Sequence, residues 1–164
     1  MGKVEIRRTR LQDVNLIAEF INKSRPLAKH LPTLTIAERF SEVGFLLAEY
    51  EGHPVGLLGW QVENLVVRVT DFLIAPAIDR VIAGRALIGE MEKAAQQLQV
   101  EAVILFLPPH PSQEIIDFWE TFDYTRRQIP SLNRNWREVA EEWRHDSEEV
   151  MLKAFRERIV HRPI

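Results

Sequence analysis

The stretch Leu65–Leu107 constrains this chain more than any other. Leu65–Ile74 (LVVRVTDFLI) is a near-continuous apolar run of strand-forming residues, which suits a central strand, and Pro76 stops it. Ile82–Leu98 follows with Ala83, Leu87, Met91, Ala94 and Leu98 at three- and four-residue steps, while Glu90, Glu92, Lys93 and Gln97 take the opposite side. Ala102–Leu107 (AVILFL) reads as a fully buried strand ended by Pro108 and Pro109. Strand, helix and strand in that order predict a βαβ unit with its two strands parallel and a right-handed connection.

Around this unit the chain has room for one domain. At 164 residues, with 46% hydrophobic and 27% charged residues, it can bury a core without a metal or disulfide staple. Cysteine is absent, which excludes thiol catalysis, thiolate zinc sites and disulfides. The five histidines, His30, His53, His110, His145 and His161, have no paired metal-ligand spacing, so no metal is expected. A net charge of −3 gives no electrostatic case for nucleic acid. No apolar run is long enough for a bilayer and Met1–Arg10 shows no leader pattern, so a soluble, cytoplasmic protein away from membranes is expected.

The remaining elements follow from periodicity. Val4–Thr9 alternates as a strand, and Leu11–Ile21 presents Val14, Ile17, Ala18 and Ile21 on one helical face, with Asp13 near its start as a cap. Pro26 and Pro32 break Asn22–Leu34, and a short helix is expected over Ile36–Val43. Phe45–Glu49 and Val55–Gln61 flank the turn residues Glu51–Pro54 as a hairpin, with Gly56 and Gly59 marking a bulge or a close approach to the backbone. Ser112 caps a helix carrying Ile115, Phe118, Trp119 and Phe122. Strands are expected at Tyr124–Ile129 and Val150–Phe155, with a polar helix over Asn135–Arg144 between them. Trp136 and Trp143 make an aromatic stripe on that helix, which reads as a docking face, with partner binding as the sharper reading.

This order in a chain of this size resembles the GNAT acyltransferase superfamily. In Asp71–Leu87 (DFLIAPAIDRVIAGRAL), the positions of Asp71, Ile74, Pro76, Gly84, Ala86 and Leu87 match the family's acidic residue, apolar strand, proline and helix-opening turn. In Ile115–Tyr124 (IIDFWETFDY), Phe118, Trp119 and Tyr124 match its aromatic pattern, and Asp123 stands at its glycine position. The resemblance covers Val4 to Phe155, with about 133–149 as an extra polar helical insertion in a single domain 1–164.

It implies an α/β (α+β) fold with a mixed, largely antiparallel central sheet, one parallel β-α-β unit and flanking helices. The implied function is transfer of an acetyl group from acetyl-CoA to an amine of a small molecule or peptide, with a homodimer as the expected assembly. The backbone of Phe72, Leu73 and Ile74 would pair with the pantetheine arm. Arg80, Val81, Ile82, Ala83, Gly84, Arg85 and Ala86 would meet the pyrophosphate, where a helix start presents N–H groups and partial positive charge.

The chain departs from the pattern in two places. In the turn Asp79–Gly84 only the last of the family's glycines is present, and Asp79 sets a carboxylate where phosphate belongs, offset only by Arg80 or Arg85. Trp119 replaces the tyrosine that serves many members as an acid, and Tyr124 reads as a core residue. For a general base, Asp71 leads Glu63, Glu49 and His110 because it lies on the strand that borders the acyl group in the family. A degenerate, non-catalytic domain that binds a ligand or partner therefore stands as the alternative reading.

Overall fold

The computed structural model describes residues 3–144 and 146–156. Its strands are β1 (Val4–Arg8), β2 (Gly44–Tyr50), β3 (His53–Glu63), β4 (Val66–Ile74), β5 (Ala102–Phe106), β6 (Thr125–Gln128) and β7 (Glu149–Ala154). The α-helices are α1 (Val14–Asn22), α2 (Thr33–Arg39), α3 (Arg80–Gln97), α4 (Gln113–Glu120) and α5 (Arg134–Trp143). The strands form one mostly antiparallel sheet in the order β1-β2-β3-β4-β5-β7-β6, with β4 and β5 parallel. The mixed α/β architecture and the parallel pair agree with the sequence reading, and α5 is the helix expected between the last two strands.

The described residues divide into two compact units, one falling within 1–61 and 70–91 and the other within 62–69 and 92–164. In the first, β1 and β2 pair antiparallel from Val4↔Tyr50 to Arg8↔Leu46, and β2 pairs antiparallel with β3. The register shifts between Ala48 and Glu49, which face Gly56 and Pro54, so Val55 is the extra residue of a bulge. The apolar faces of α1 and α2 close over this sheet: Val14, Ile17, Ala18, Ile21 and Ile36 cluster with Phe45, Leu47 and Leu57. Gly56 clears the path for α3, since a Cβ there would lie 2.9 Å from Leu87 Cδ1.

Asp13 does not cap α1 with its side chain. Its carboxylate accepts from the Arg10 N–H at 2.8 Å and from both terminal nitrogens of Arg7 at 3.1 and 3.0 Å. The short helix α2 begins at Thr33 rather than Ile36, because Pro32 supplies an extended entry and its carbonyl accepts from Thr35 N–H.

In the second unit, Val66–Arg68 pair with Ala102–Ile104, β5 pairs antiparallel with β7, and β7 with β6. Helix α5 carries Trp136, Val139 and Ala140 onto Val66, Ala102, Ile104, Val150 and Leu152. The tryptophan stripe is thus a docking face, and burying each such side chain stabilises the unit by about 1.5–3 kcal/mol. Glu101, 1% exposed, fixes α5 in register by accepting from the Trp136 indole N–H at 3.0 Å and from Asn135 at 3.3 Å. At the end of α4, Asp123 adopts φ +71°, the left-handed backbone its glycine-like position requires and a conformation that Asp tolerates.

Candidate active site

Strand β4 delivers its last residues to a pinned exit. Ala75 N–H donates to the carbonyl of Val55, the bulge residue of β3, at 2.8 Å, and Ile78 N–H closes a turn onto Ala75 at 3.2 Å. Beside this exit lies a hollow of about 380 Å³ walled by Leu73, Ile74, Pro76, Phe20 and Pro54, with Lys23 as its cation. Two of the three residues expected to hold pantetheine therefore line open space, and Phe72 stands half-buried just before them.

The segment expected as a phosphate-binding turn is helix. Helix α3 starts at Arg80, so all seven candidates from Arg80 to Ala86 lie in its first two turns. Asp79 is the reason. One of its carboxylate oxygens accepts from Val81 N–H at 2.9 Å and from Ile82 N–H at 3.0 Å, while its carbonyl accepts from Ala83 N–H at 3.1 Å. A carboxylate capping two orphan amides starts the helix two residues before Ile82. It also stands in the place of an external anion, because a helix N-terminus binds phosphate through these same amides. Ala83 and Gly84 are buried, whereas Arg80 and Arg85 are exposed.

Asp71 sits on β4 in an arrangement that periodicity could not show. Arg39, the last residue of α2, reaches both of its oxygens, Nη1 to Oδ1 at 2.9 Å and Nη2 to Oδ2. Thr70 Oγ1 donates to the same Oδ2 at 2.7 Å. The pair is largely enclosed, with side chains 28% and 19% exposed, and the Arg39 guanidinium lies 5.3 Å from the Phe45 ring. Gly59 makes the space, as a Cβ there would fall 2.5 Å from Asp71 Oδ2 and 2.7 Å from Thr70 Oγ1. The sequence flagged Gly59 as a point of close approach but not what approaches, and Arg39 and Thr70 escaped it. Three donated hydrogen bonds thus converge on the Asp71 carboxylate, two of them on Oδ2.

The other base candidates are dispersed. Glu49 is held by Arg7 at 2.8 Å, Glu63 closes β3, and His110 follows β5 in a left-handed conformation with φ +54°. Trp119 is 3% exposed and packs edge-on against Tyr124, with ring centroids 5.1 Å apart. Tyr124 is buried as well. Its hydroxyl donates to Glu92 at 2.8 Å, and Lys153 completes that network at 2.9 Å from Glu92. Burial, then the Glu92 carboxylate, pushes the Tyr124 hydroxyl far above its usual range, which keeps it protonated on Glu92 within the core. Among the described residues no group of three or more histidines and carboxylates is placed to hold a metal ion, and no helix is long and apolar enough to cross a membrane.

The strand order, the parallel β4–β5 pair and the helix that follows β4 define the GNAT acetyltransferase fold. Solved structures with this fold superimpose over nearly the whole chain. A GNAT-family acetyltransferase from Staphylococcus aureus Mu50 aligns with a TM-score of 0.71 at 11% identity, over 93% of this chain and 99% of that one. An Ard1 protein from Thermoplasma volcanium gives 0.66 at 16% identity, over 94% and 99%. The PaiA N-acetyltransferase of Thermoplasma acidophilum, solved with coenzyme A, gives 0.63 at 13% identity, over 93% and 99%. No protein-family model and no curated protein sequence matches the chain. At these identities the likeness is one of fold, and function has to be argued from the site.

Proposed function

We propose that the chain is an acetyl-CoA-dependent N-acetyltransferase that moves an acetyl group to the amine of a small molecule or peptide. The observation that carries this reading is the exit of β4, where Leu73 and Ile74 border an open hollow and the chain turns directly into α3. The backbone of Phe72, Leu73 and Ile74 would hold the pantetheine arm. The amides of Val81, Ile82 and Ala83 do not fit the pyrophosphate as they stand, because Asp79 already engages them. Arg80 and Arg85 would answer the phosphates instead, with Gly84 and Ala86 giving close approach to α3. Asp71 orders the end of α2 against β4 through Arg39, and it is the candidate general base. Direct attack by a positioned amine needs no strong base, since orientation supplies much of the rate.

A second reading is favoured by one specific observation. A helix start that carries its own carboxylate suits a degenerate GNAT domain, binding a ligand or partner without transfer. Thermal denaturation with acetyl-CoA separates the two. Cofactor at about a hundred times its dissociation constant adds about 2.7 kcal/mol of stability, raising the melting temperature by roughly 5–10 °C. Release of free thiol across an amine panel then establishes transfer. A shift without thiol release supports the binding module, and no shift at millimolar acetyl-CoA overturns both uses of the cofactor.

A further inference from the structure

The hollow beside the β4 exit is apolar on most of its wall and carries one sign of charge. Lys23 is the single charged residue among those lining it, and no carboxylate joins it there. The Lys23 ammonium makes no hydrogen bond or ion pair with a described residue. Ser24, also on the wall, already donates its hydroxyl to the Ile21 carbonyl at 3.1 Å. The surrounding sequence has the same sign. Between Glu19 and Glu38 stand Lys23, Arg25 and Lys29 and no acidic residue, although the net charge of the chain is −3. A one-signed stretch beside an apolar wall draws in the opposite charge.

The wall is anchored at several points. Lys23 caps the C-terminus of α1, its N–H donating to the Glu19 carbonyl at 3.0 Å. Asn22 pins the connection that follows, since its Nδ2 donates to the Leu31 carbonyl at 2.9 Å and its Oδ1 accepts from Leu31 N–H at 2.8 Å. Phe20 and Leu73 both pack against the α1–α2 core cluster. Leu73 contributes its side chain to that packing, which would leave the backbone of β4 to the pantetheine arm.

Size and charge together limit the occupant. A volume of about 380 Å³ lies at the small end of ligand pockets. An apolar wall favours a hydrocarbon body, and one ammonium answers one negative charge. The second charge of a phosphate would stay uncompensated beside apolar surface, and a simple amine would meet a like charge. We propose that this hollow binds a small apolar monocarboxylate, its hydrocarbon part against Phe20 and Leu73 and its carboxylate on Lys23. As an acetyl acceptor the occupant is an amino acid with an apolar side chain. That naming rests on the acetyltransferase reading, whereas carboxylate binding does not. The Lys23 charge and the apolar wall both disfavour an ammonium, which favours the neutral amine that attacks a thioester.

The test is isothermal titration calorimetry on the full chain with the straight-chain carboxylates from butyrate to octanoate, and with the alkylamine and alcohol of each length. Carboxylate affinity is expected to rise about fourfold per methylene until the hollow is full, with each matched amine about tenfold weaker. Lys23→Met, at an exposed position, is expected to weaken the carboxylates about fivefold and leave the alcohols unchanged. Lys23→Glu is expected to turn the preference toward the amines. The proposal is overturned if no carboxylate binds up to about 10 mM, if the matched amine binds as tightly, or if a folded Lys23→Met binds unchanged. Thiol release from acetyl-CoA with apolar amino acids and with their decarboxylated amines then separates the site from the reading it deepens. Faster release with the amino acids, lost in Lys23→Met, supports both. Release that ignores both the carboxylate and Lys23 overturns the acceptor assignment and spares the acetyltransferase reading. Carboxylate binding with no thiol release from any amine supports the site and overturns that reading.

Discussion

Arg39 at the end of α2 grips the Asp71 carboxylate on β4 with both terminal nitrogens, and Gly59 on β3 leaves the room for it. The pair joins a short helix to the strand that delivers the candidate cofactor backbone. Removing Arg39 leaves a partly enclosed carboxylate without its cation, so Arg39→Met should cost about 1–3 kcal/mol in urea denaturation. Adding Asp71→Asn to that variant should recover part of the loss, giving a coupling of at least about 0.5 kcal/mol. Thiol-release rates separate two roles for Asp71. If it positions β4, both single variants lose rate together; if it acts as a base, Arg39→Met keeps or gains rate while Asp71→Asn loses it.

Asp79 caps α3 with a charged oxygen, and substitution can separate the charge from the cap. Asp79→Asn keeps a capping oxygen but removes the charge, so stability should change by only a few tenths of a kcal/mol. Acetyl-CoA binding, followed by calorimetry, should tighten about tenfold as the like charge disappears. Asp79→Ala should lose about 1 kcal/mol of stability through the missing cap. Weaker binding by the asparagine variant would show that the phosphates lie elsewhere.

Acid stability should report on Asp13. The Arg7 guanidinium, helped by the Arg10 N–H, holds its carboxyl below the ordinary 3.8. A carboxyl depressed in the folded state contributes stability that is present above its unfolded value and lost as pH falls through the folded one. Urea midpoints should therefore drop as pH is lowered below about 4, and Asp13→Asn should flatten that part of the profile. An unchanged slope in the variant would remove Asp13 as a source of the acid sensitivity.

Tyr124→Phe tests whether the hydroxyl belongs to the core alone. It removes one buried hydrogen bond while Lys153 still holds Glu92, so a loss of about 1–2 kcal/mol is expected by thermal denaturation. Thiol release should be unaffected at a temperature where both proteins are folded. A large fall in turnover with little change in melting would return Tyr124 to the chemistry.

Much of the fold was legible because apolar spacing is local. The β4–α3–β5 order, the hairpin and its glycines, the Ser112 cap and the docking stripe of α5 all follow from residues a few positions apart. Boundaries slipped where a local polar group intervened, as when Asp79 drew the start of α3 back to Arg80. The candidate site was legible only in part. Arg39 and Asp71 are separated by 32 positions, and neither has a spacing that announces the other.

The Leu65–Leu107 unit shows where that line falls. The sequence by itself determined its strands, its helix and their parallel pairing, since burial of alternate or helical faces depends only on neighbouring residues. Only the tertiary structure decided which charges meet: Asp79 turned back onto its own helix, Asp71 held by α2, and Arg68 set between Phe106 and Trp143. Charge pairing acts over a few ångströms of space rather than along the chain, so it waits on the packing that brings distant elements together.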